Sequence, residues 1–220
     1  YCTNSGVIED CLIVHNAATN EGGGVFLING GLIRQCEFRG NKAYDDGGGV
    51  CIWFDGRLED SLLTMNTSMD KGGAIQCRSG GVVSGCVISN NQAHGGGGGA
   101  YLPALDGLGT PLIEACVVTD NVSTSPGVGD PKGAGGIYFY FGGTARNCLV
   151  TRNRAGIDGG GGIHCCFGGW VENCTVAFNE ATGAGGGLRL DAPGAVRNTI
   201  LFGNTAGLDA DWTGDATSCM

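Results

Sequence analysis

Apolar and polar positions alternate over short stretches along the whole chain. In one such stretch Cys36 and Phe38 point one way and the residue between them points the other. Residues 25–28, which follow a run of glycines, alternate in the same manner, and a third short stretch centred on Ile33 precedes the cysteine. The pattern predicts three short strands in every repeat and an all-β chain.

The alternating stretches recur with a period of about 25 residues. Eight six-residue segments align, and their first positions are separated by 25, 25, 25, 30, 32, 26 and 25 residues. The first position is usually cysteine: Cys11, Cys36, Cys86, Cys116, Cys148 and Cys174, with Ser61 and Thr199 in the other two copies. The sixth position is always asparagine: Asn16, Asn41, Asn66, Asn91, Asn121, Asn153, Asn179 and Asn204. A fixed period of this length indicates a solenoid.

Three strands and three turns in about 25 residues make one coil of a parallel β-helix, in which each strand pairs with its copy about 4.8 Å away. The fold class predicted is therefore a right-handed, single-stranded parallel β-helix of about eight coils, forming one domain over residues 1–220. Stacked asparagines predict a hydrogen-bonded ladder. The glycines permit positive φ and close backbone approach at tight turns.

Composition and charge exclude several functions. Glycine makes up 45 of 220 residues, but its periodic placement indicates a packed repeat and not a disordered chain. The net charge of -9 argues against nucleic acid as a partner. No run of 18 apolar residues exists, so no membrane-spanning segment is expected.

The 12 cysteines follow the repeat, which favours buried free thiols in the stacked column over a disulfide scaffold. Stacked Cβ atoms lie about 4.8 Å apart, beyond the preferred disulfide range, although bridges or a bound metal remain alternatives. Cys2, Cys77 and Cys165 share a second inward column. Cys51, Cys166 and Cys219 are expected to be accessible and therefore able to react or pair.

Candidate binding residues lie on the outward face of the strand after the glycines. Its first outward column reads Phe26, Cys51, Gln76, Tyr101, Tyr138, His164 and Arg189, and its second reads Ile28, Trp53, Arg78, Pro103, Tyr140, Cys166 and Asp191. Trp53, Tyr101, Tyr138, Tyr140 and His164 suit the binding of sugar rings. His164 beside Arg189 and Asp191 also suits proton transfer. The alternative is a solvated face on which aromatic residues merely favour β structure.

Three further features have open interpretations. Insertions near 103–111 and 122–134 are either functional loops or tolerated additions. The acids Glu21, Asp45, Asp46 and Asp70 suit a weak Ca²⁺ site or are solvated turn residues; no other cofactor is expected. An outward stripe after the cysteines is either an interface or ordinary β propensity: Leu12, Leu62, Val87, Val117, Leu149 and Ile200.

The GGAI motif at 72–75, the related glycine-rich motifs and the recurring cysteine–asparagine segment resemble the Gly-rich right-handed β-helix repeats of bacterial surface proteins. Those include the polymorphic outer-membrane protein adhesins, and their superfamily also contains pectate lyases and polygalacturonases. The resemblance implies a secreted or cell-surface segment of a longer chain, a non-catalytic adhesin, stalk or glycan-contacting module. The alternative is a polysaccharide lyase or glycoside hydrolase. The partner expected is a polysaccharide or a host or cell-surface component, with end-to-end self-assembly a further option.

Overall fold

A computed structural model describes residues 1–105, 107–124, 133–157 and 159–213. These residues form parallel strands arranged in four sheets, each strand paired with its copies in the neighbouring coils. Val50, for example, pairs with Val25 on one side and with Ile75 on the other. The predicted parallel β-helix of about eight coils is confirmed.

Sheet A follows the glycines and has nine strands: β1 (Cys2–Thr3), β5 (Val25–Ile28), β9 (Val50–Trp53), β13 (Ile75–Arg78), β17 (Ala100–Pro103), β21 (Ile137–Tyr140), β25 (Ile163–Cys165), β29 (Leu188–Leu190) and β33 (Trp212–Thr213). Sheet B precedes the cysteine position and has eight: β2 (Val7–Glu9), β6 (Leu32–Arg34), β10 (Arg57–Glu59), β14 (Val82–Ser84), β18 (Leu112–Glu114), β22 (Thr144–Arg146), β26 (Trp170–Glu172) and β30 (Ala195–Arg197).

Sheet C follows the cysteine position: β3 (Leu12–Val14), β7 (Glu37–Arg39), β11 (Leu62–Thr64), β15 (Val87–Ser89), β19 (Val117–Thr119), β23 (Leu149–Thr151), β27 (Thr175–Ala177) and β31 (Ile200–Phe202). Sheet D follows the asparagine: β4 (Ala17–Ala18), β8 (Lys42–Ala43), β12 (Thr67–Ser68), β16 (Gln92–Ala93), β20 (Val122–Ser123), β24 (Arg154–Ala155), β28 (Glu180–Ala184) and β32 (Thr205–Leu208). The prediction of three strands per coil missed sheet D, because most of its strands have only two residues and show no alternation of their own.

Single residues in the left-handed region turn the chain between sheets B and C and between sheets C and D. The residue before the cysteine position and the residue before the asparagine both take positive φ, as at Gln35 (φ 53°) and Met65 (φ 56°). The coil-to-coil hydrogen bonds continue through these corners, and the Gln35 N–H donates to the Glu59 carbonyl at 3.2 Å. One residue per corner therefore bends the coil without breaking its backbone pairing.

The glycine triplets close each coil where two backbone layers meet. Gly47 has φ of +68°, which glycine adopts without steric cost. At the next position, a Cβ on Gly48 would overlap the carbonyl oxygen of Gly73 in the following coil and the backbone of Thr67 in sheet D. The predicted role of the glycines is confirmed at these two positions.

The interior of the coil holds one apolar side chain from nearly every inward position, including Leu27, Ile33, Phe38, Ile52 and Phe139. The asparagine column borders this core as a continuous ladder. Asn66 Nδ2 donates to Asn91 Oδ1 at 3.0 Å and to the Phe38 carbonyl at 3.0 Å, while Asn66 Oδ1 accepts from the backbone N–H of Asn41 at 3.0 Å. Every hydrogen-bonding atom of the buried amide is thus occupied by the neighbouring coils.

The cysteine column is a second hydrogen-bonded ladder. Cys86 Sγ donates to the Ser84 carbonyl at 3.2 Å, and Cys116 Sγ accepts from the Cys86 N–H at 3.4 Å. Ser61 makes the same two contacts with its hydroxyl, to the Glu59 carbonyl and from the Cys36 N–H. This shared geometry explains why serine and threonine replace cysteine in two copies.

The cysteines that the structure describes are free thiols, as the core-thiol interpretation predicts. Cys11, in the first coil, is the exposed member of its column. Hydrogen bonding to Cys116, together with burial, raises the pKa of Cys148 to about 12, and burial alone raises the pKa of Cys77 to about 12. Because the thiolate is the reactive form, these groups are chemically quiet. Cys219 lies outside the described residues.

Candidate ligand-binding surface

The turns that lead into sheet A fold over the first outward column of that sheet. Cys51 Sγ donates to the Glu21 carboxylate at 3.5 Å, and Gln76 Nε2 donates to Asp46 Oδ2 at 2.6 Å. In both contacts the turn of one coil covers a side chain of the next coil. Cys51 and Gln76 are therefore buried although they lie on the outer face of the sheet.

The same covering removes several predicted ligand-binding residues from the surface. Tyr101, Tyr138 and His164 are 7%, 1% and 0% exposed, so the prediction that they form an exposed patch is wrong. Gly96 in the covering turn lies so close to Tyr138 that a Cβ there would be 2.7 Å from the ring. Strand alternation predicted the correct side of the sheet for these residues, but it could not show what lies over it.

The predicted accessibility of Cys51 and Cys166 is also wrong. Both are buried, and Cys166 packs with Tyr101, Tyr138 and Ala134 in a small apolar cluster outside the main core. Burial raises the pKa of the Cys51 thiol well above its ordinary value, with the nearby Glu21 carboxylate adding to the effect. Neither cysteine is an exposed reactive group.

The structure does bring the predicted catalytic residues together. His164 pairs laterally with Arg189, His164 Nε2 lies 3.1 Å from Asp191 Oδ2, and Arg189 Nε donates to Asp191 Oδ1 at 2.8 Å. The Arg189 and Asp191 side chains are each 17% exposed, whereas the His164 side chain is fully buried. A general base must reach the proton that it removes, so the histidine is poorly placed for proton transfer to a ligand at the surface.

The accessible aromatic rings near this cluster are different ones. Phe141 and Phe167 stack at 4.8 Å between ring centroids with an interplanar angle of 15°, and the Tyr140 ring packs edge-on against both at 4.4 and 5.4 Å. The two phenylalanines are 49% and 52% exposed. We call Tyr140, Phe141 and Phe167 the aromatic surface. Sequence reasoning missed both phenylalanines, although the FGG motif repeats one coil apart, at 141–143 and 167–169.

Trp53 lies apart from the aromatic surface. Strands β13 and β17 separate its strand from that of Tyr140, a distance of about 14 Å at the usual strand spacing. Its indole is half-buried, packs edge-on against Phe26 and lies 4.8 Å beneath the guanidinium of Arg78. Trp53 also lines a pocket of about 610 Å³ with Phe26, Glu21 and Asp45. The predicted ligand-binding residues therefore lie in two separate places on sheet A.

The acidic turn residues form the predicted cluster, with oxygens of Asp45, Asp46 and Asp70 within 4.8 Å of one another. Burial raises the pKa of Asp46 to about 7 and also raises the pKa of Glu21. Both oxygens of Asp46 already accept hydrogen bonds, from Gln76 and from the Lys71 N–H, and the Lys71 ammonium lies 3.0 Å from Asp70. These contacts fit a hydrogen-bonded turn better than a Ca²⁺ cage, and the calcium site stays a prediction.

The structure describes part of the two insertions and all of the apolar stripe. The first insertion is tied to sheet A where Ala104 N–H donates to the Tyr140 carbonyl at 2.8 Å, while residue 106 and residues 125–132 lie outside the described ranges. Leu12, Val87, Leu149 and Ile200 of the stripe are exposed, and Leu62 and Val117 are partly covered. Across the described residues, no helix is long and apolar enough to span a membrane.

Four parallel sheets and two hydrogen-bonded ladders define an all-β parallel solenoid. Its coils carry different side chains on the outer face of sheet A. Residues 1–217 match the family model described as right-handed beta helix region, and the chain belongs to that family. No curated protein and no solved structure matches the chain.

Proposed function

We propose that the domain is a non-catalytic, rigid support that contacts a glycan or another cell-surface component through the aromatic surface. The observation that carries the proposal is the stacked and half-exposed pair Phe141 and Phe167. Clustered apolar side chains at the surface of a soluble protein mark interaction sites, and flat aromatic rings suit the apolar faces of sugars.

The backbone under these rings supports a binding role. Phe141 and Phe167 have φ of 62° and 104°, a region that bulky residues rarely adopt. The same left-handed backbone recurs at the corners of other coils, as at Phe54, so the two phenylalanines lie on a regular bend of the chain. Here the neighbouring strands β21 and β25 are paired in register, so the two rings project from a rigid base.

The wider setting is proposed on the resemblance to bacterial surface proteins. In that setting the domain acts as a secreted or cell-surface adhesin or stalk, and the ladders along its length give it stiffness. The acidic net charge of -9 suits a neutral polysaccharide or a protein better than a nucleic acid. End-to-end assembly through the coil ends is a separate prediction, which sedimentation at increasing protein concentration would test.

Binding to a panel of neutral and acidic polysaccharides tests the proposal. Replacing both Phe141 and Phe167 with alanine should weaken binding at least about tenfold, because each ring contributes roughly 1 kcal/mol or more of apolar contact. The matched control is Phe178→Ala with Phe202→Ala. This pair is also exposed, with ring centroids 5.5 Å apart, but lies elsewhere on the coil. Equal binding by both double variants, or no binding by the unaltered protein, would contradict the proposal.

A polysaccharide lyase or glycoside hydrolase is the second candidate, supported by the contacts among His164, Asp191 and Arg189. Incubation with polysaccharides, with and without Ca²⁺, should be followed by unsaturated-uronide absorbance and by new reducing ends. Turnover that His164→Ala removes while binding persists would favour the enzyme. Binding without turnover favours the support function.

A further inference from the structure

His164, Cys166 and Asp191 converge outside the main core. His164 lies in β25, and Cys166 stands two residues after it, directly beyond the end of that strand, so the two side chains leave the same face of the sheet. Cys165 pairs with Leu190, and the Asp191 N–H donates to the Cys165 carbonyl at 3.1 Å. This register places Asp191 beside Cys166 in the next coil.

The three side chains present one donor atom each within a small volume. A ring nitrogen of His164, Cys166 Sγ and a carboxylate oxygen of Asp191 all lie within 4.8 Å of one another. Two ligand atoms bound to Zn²⁺ at about 2.0–2.2 Å in tetrahedral geometry are separated by about 3.4 Å. His164 Nε2 and Asp191 Oδ2 are 3.1 Å apart, so an ion could enter between them with small side-chain movements.

The surroundings of the three donors resemble the outer layer of a metal site. Arg189 Nε holds Asp191 Oδ1 and leaves Oδ2 facing the histidine. The Tyr138 ring lies 5.3 Å from the His164 ring, and Cys166 packs against Tyr138. In protein metal sites, the residues around the ligands fix the orientation of those ligands, and apolar side chains around the site limit its access to solvent. Both set the affinity and reactivity of the bound metal.

We propose that His164, Cys166 and Asp191 bind a Zn²⁺ ion. The nitrogen, thiolate and carboxylate donors are the set that zinc prefers, and hard cations such as Ca²⁺ or Mg²⁺ would select oxygen alone. Three protein ligands leave a fourth position, and the 17% exposure of the Asp191 side chain opens the site to solvent on that side. The site is independent of glycan binding by the aromatic surface.

Cobalt titration of the chelator-treated full chain tests the proposal, because Co²⁺ replaces Zn²⁺ and is coloured. We expect one ion per chain, the intense visible bands of a tetrahedral site and a near-ultraviolet thiolate-to-cobalt charge-transfer band. Added Zn²⁺ should displace the cobalt. Binding should weaken as the pH falls, since the thiol must lose its proton to bind the ion.

Variants identify the ligands among the chain's many cysteines. Cys166→Ser should remove the charge-transfer band, and Asp191→Asn should weaken binding at least about tenfold, as even outer-layer changes cost 10- to 100-fold. Cys51→Ser is the matched control, because Cys51 is also buried on the outer face of sheet A. Circular dichroism checks that each variant is folded. A charge-transfer band that persists in Cys166→Ser, or no stoichiometric cobalt binding by the unaltered chain, would overturn the proposal.

Discussion

The inner ladders and the outer face of sheet A are built from the same coils but follow opposite rules. In the asparagine ladder, Asn41, Asn66 and Asn91 make the same contacts with the coil before and the coil after. On the outer face of sheet A, successive positions read Cys51, Gln76, Tyr101, Tyr138 and His164, and each makes different contacts. One region repeats a single interaction, and the other changes at every step.

This difference separates what maintains the fold from what is available for function. A residue that stacks on its own copy is constrained by both neighbours, so any change there costs stability. A position on the outer face is constrained only by the turn that covers it. The proposed zinc ligands and the aromatic surface both lie where the sequence repeat is irregular. At such positions the coils of a repeat protein can carry different residues without losing their stacking.

Breaking one step of the asparagine ladder should give the largest effect. Asn121→Ala removes a fully buried amide that donates to the Ile88 carbonyl and to Asn153, and accepts from Asn91. Because several buried groups lose their partners and a cavity forms, we expect about 4 to 6 kcal/mol of destabilisation. Chemical denaturation measures it.

The control for this prediction is Asn16→Ala in the first coil. Asn16 is exposed and donates only to Asn41 Oδ1 among the contacts described, so its replacement should cost less than about 1 kcal/mol. Similar losses from the two changes would show that the ladder does not stabilise the fold through its buried hydrogen bonds.

The ladders could be predicted from the sequence because identical residues recur at a fixed spacing and their stacking follows from that spacing alone. The burial of Tyr138 could not be predicted, since it depends on how the turn containing Gly96 folds back over the sheet. Strand alternation likewise gives the side of the sheet on which His164 lies but not its burial. Phe141 and Phe167 were missed for a related reason. They occupy left-handed turn positions, where propensity favours glycine or asparagine and alternation gives no information.

The outer face should make stability depend on pH through Asp46. Burial raises its pKa in the folded state to about 7, above the value of about 3.9 in an unfolded chain. Between these values the unfolded state has released the proton and the folded state retains it, so stability falls as the pH rises from about 4 to about 7. The loss should approach roughly 4 kcal/mol and stay constant above that range.

Denaturation at several pH values, with Asp46→Asn beside the unaltered protein, measures this contribution. The variant cannot ionise, so its stability should fall less between pH 4 and 7 than that of the unaltered protein. Asp45→Asn, in the exposed neighbouring position, is the control and should change the slope only slightly, because the Asp45 charge is the smallest contribution to the raised pKa of Asp46. A steep fall that survives in Asp46→Asn would assign the pH dependence to other groups, of which Glu21 is the first to test.

The smallest expected loss of stability comes from replacing a cysteine with serine, and its size should differ between the two cysteine columns of the interior. Cys116→Ser should cost less than about 1 kcal/mol, because Ser61 shows that a hydroxyl makes the same ladder contacts to the carbonyl two residues before it and from the preceding coil. The Cys77 thiol is fully buried and makes no hydrogen bond within the described part of the chain, so Cys77→Ser buries a hydroxyl that has no hydrogen-bond partner in place. That change should cost about 1 to 3 kcal/mol, measured by the same denaturation experiment. If both substitutions cost the same, the cysteines of the ladder serve only as small apolar side chains, and the hydrogen bonds drawn from their thiols contribute nothing to the stacking of the coils.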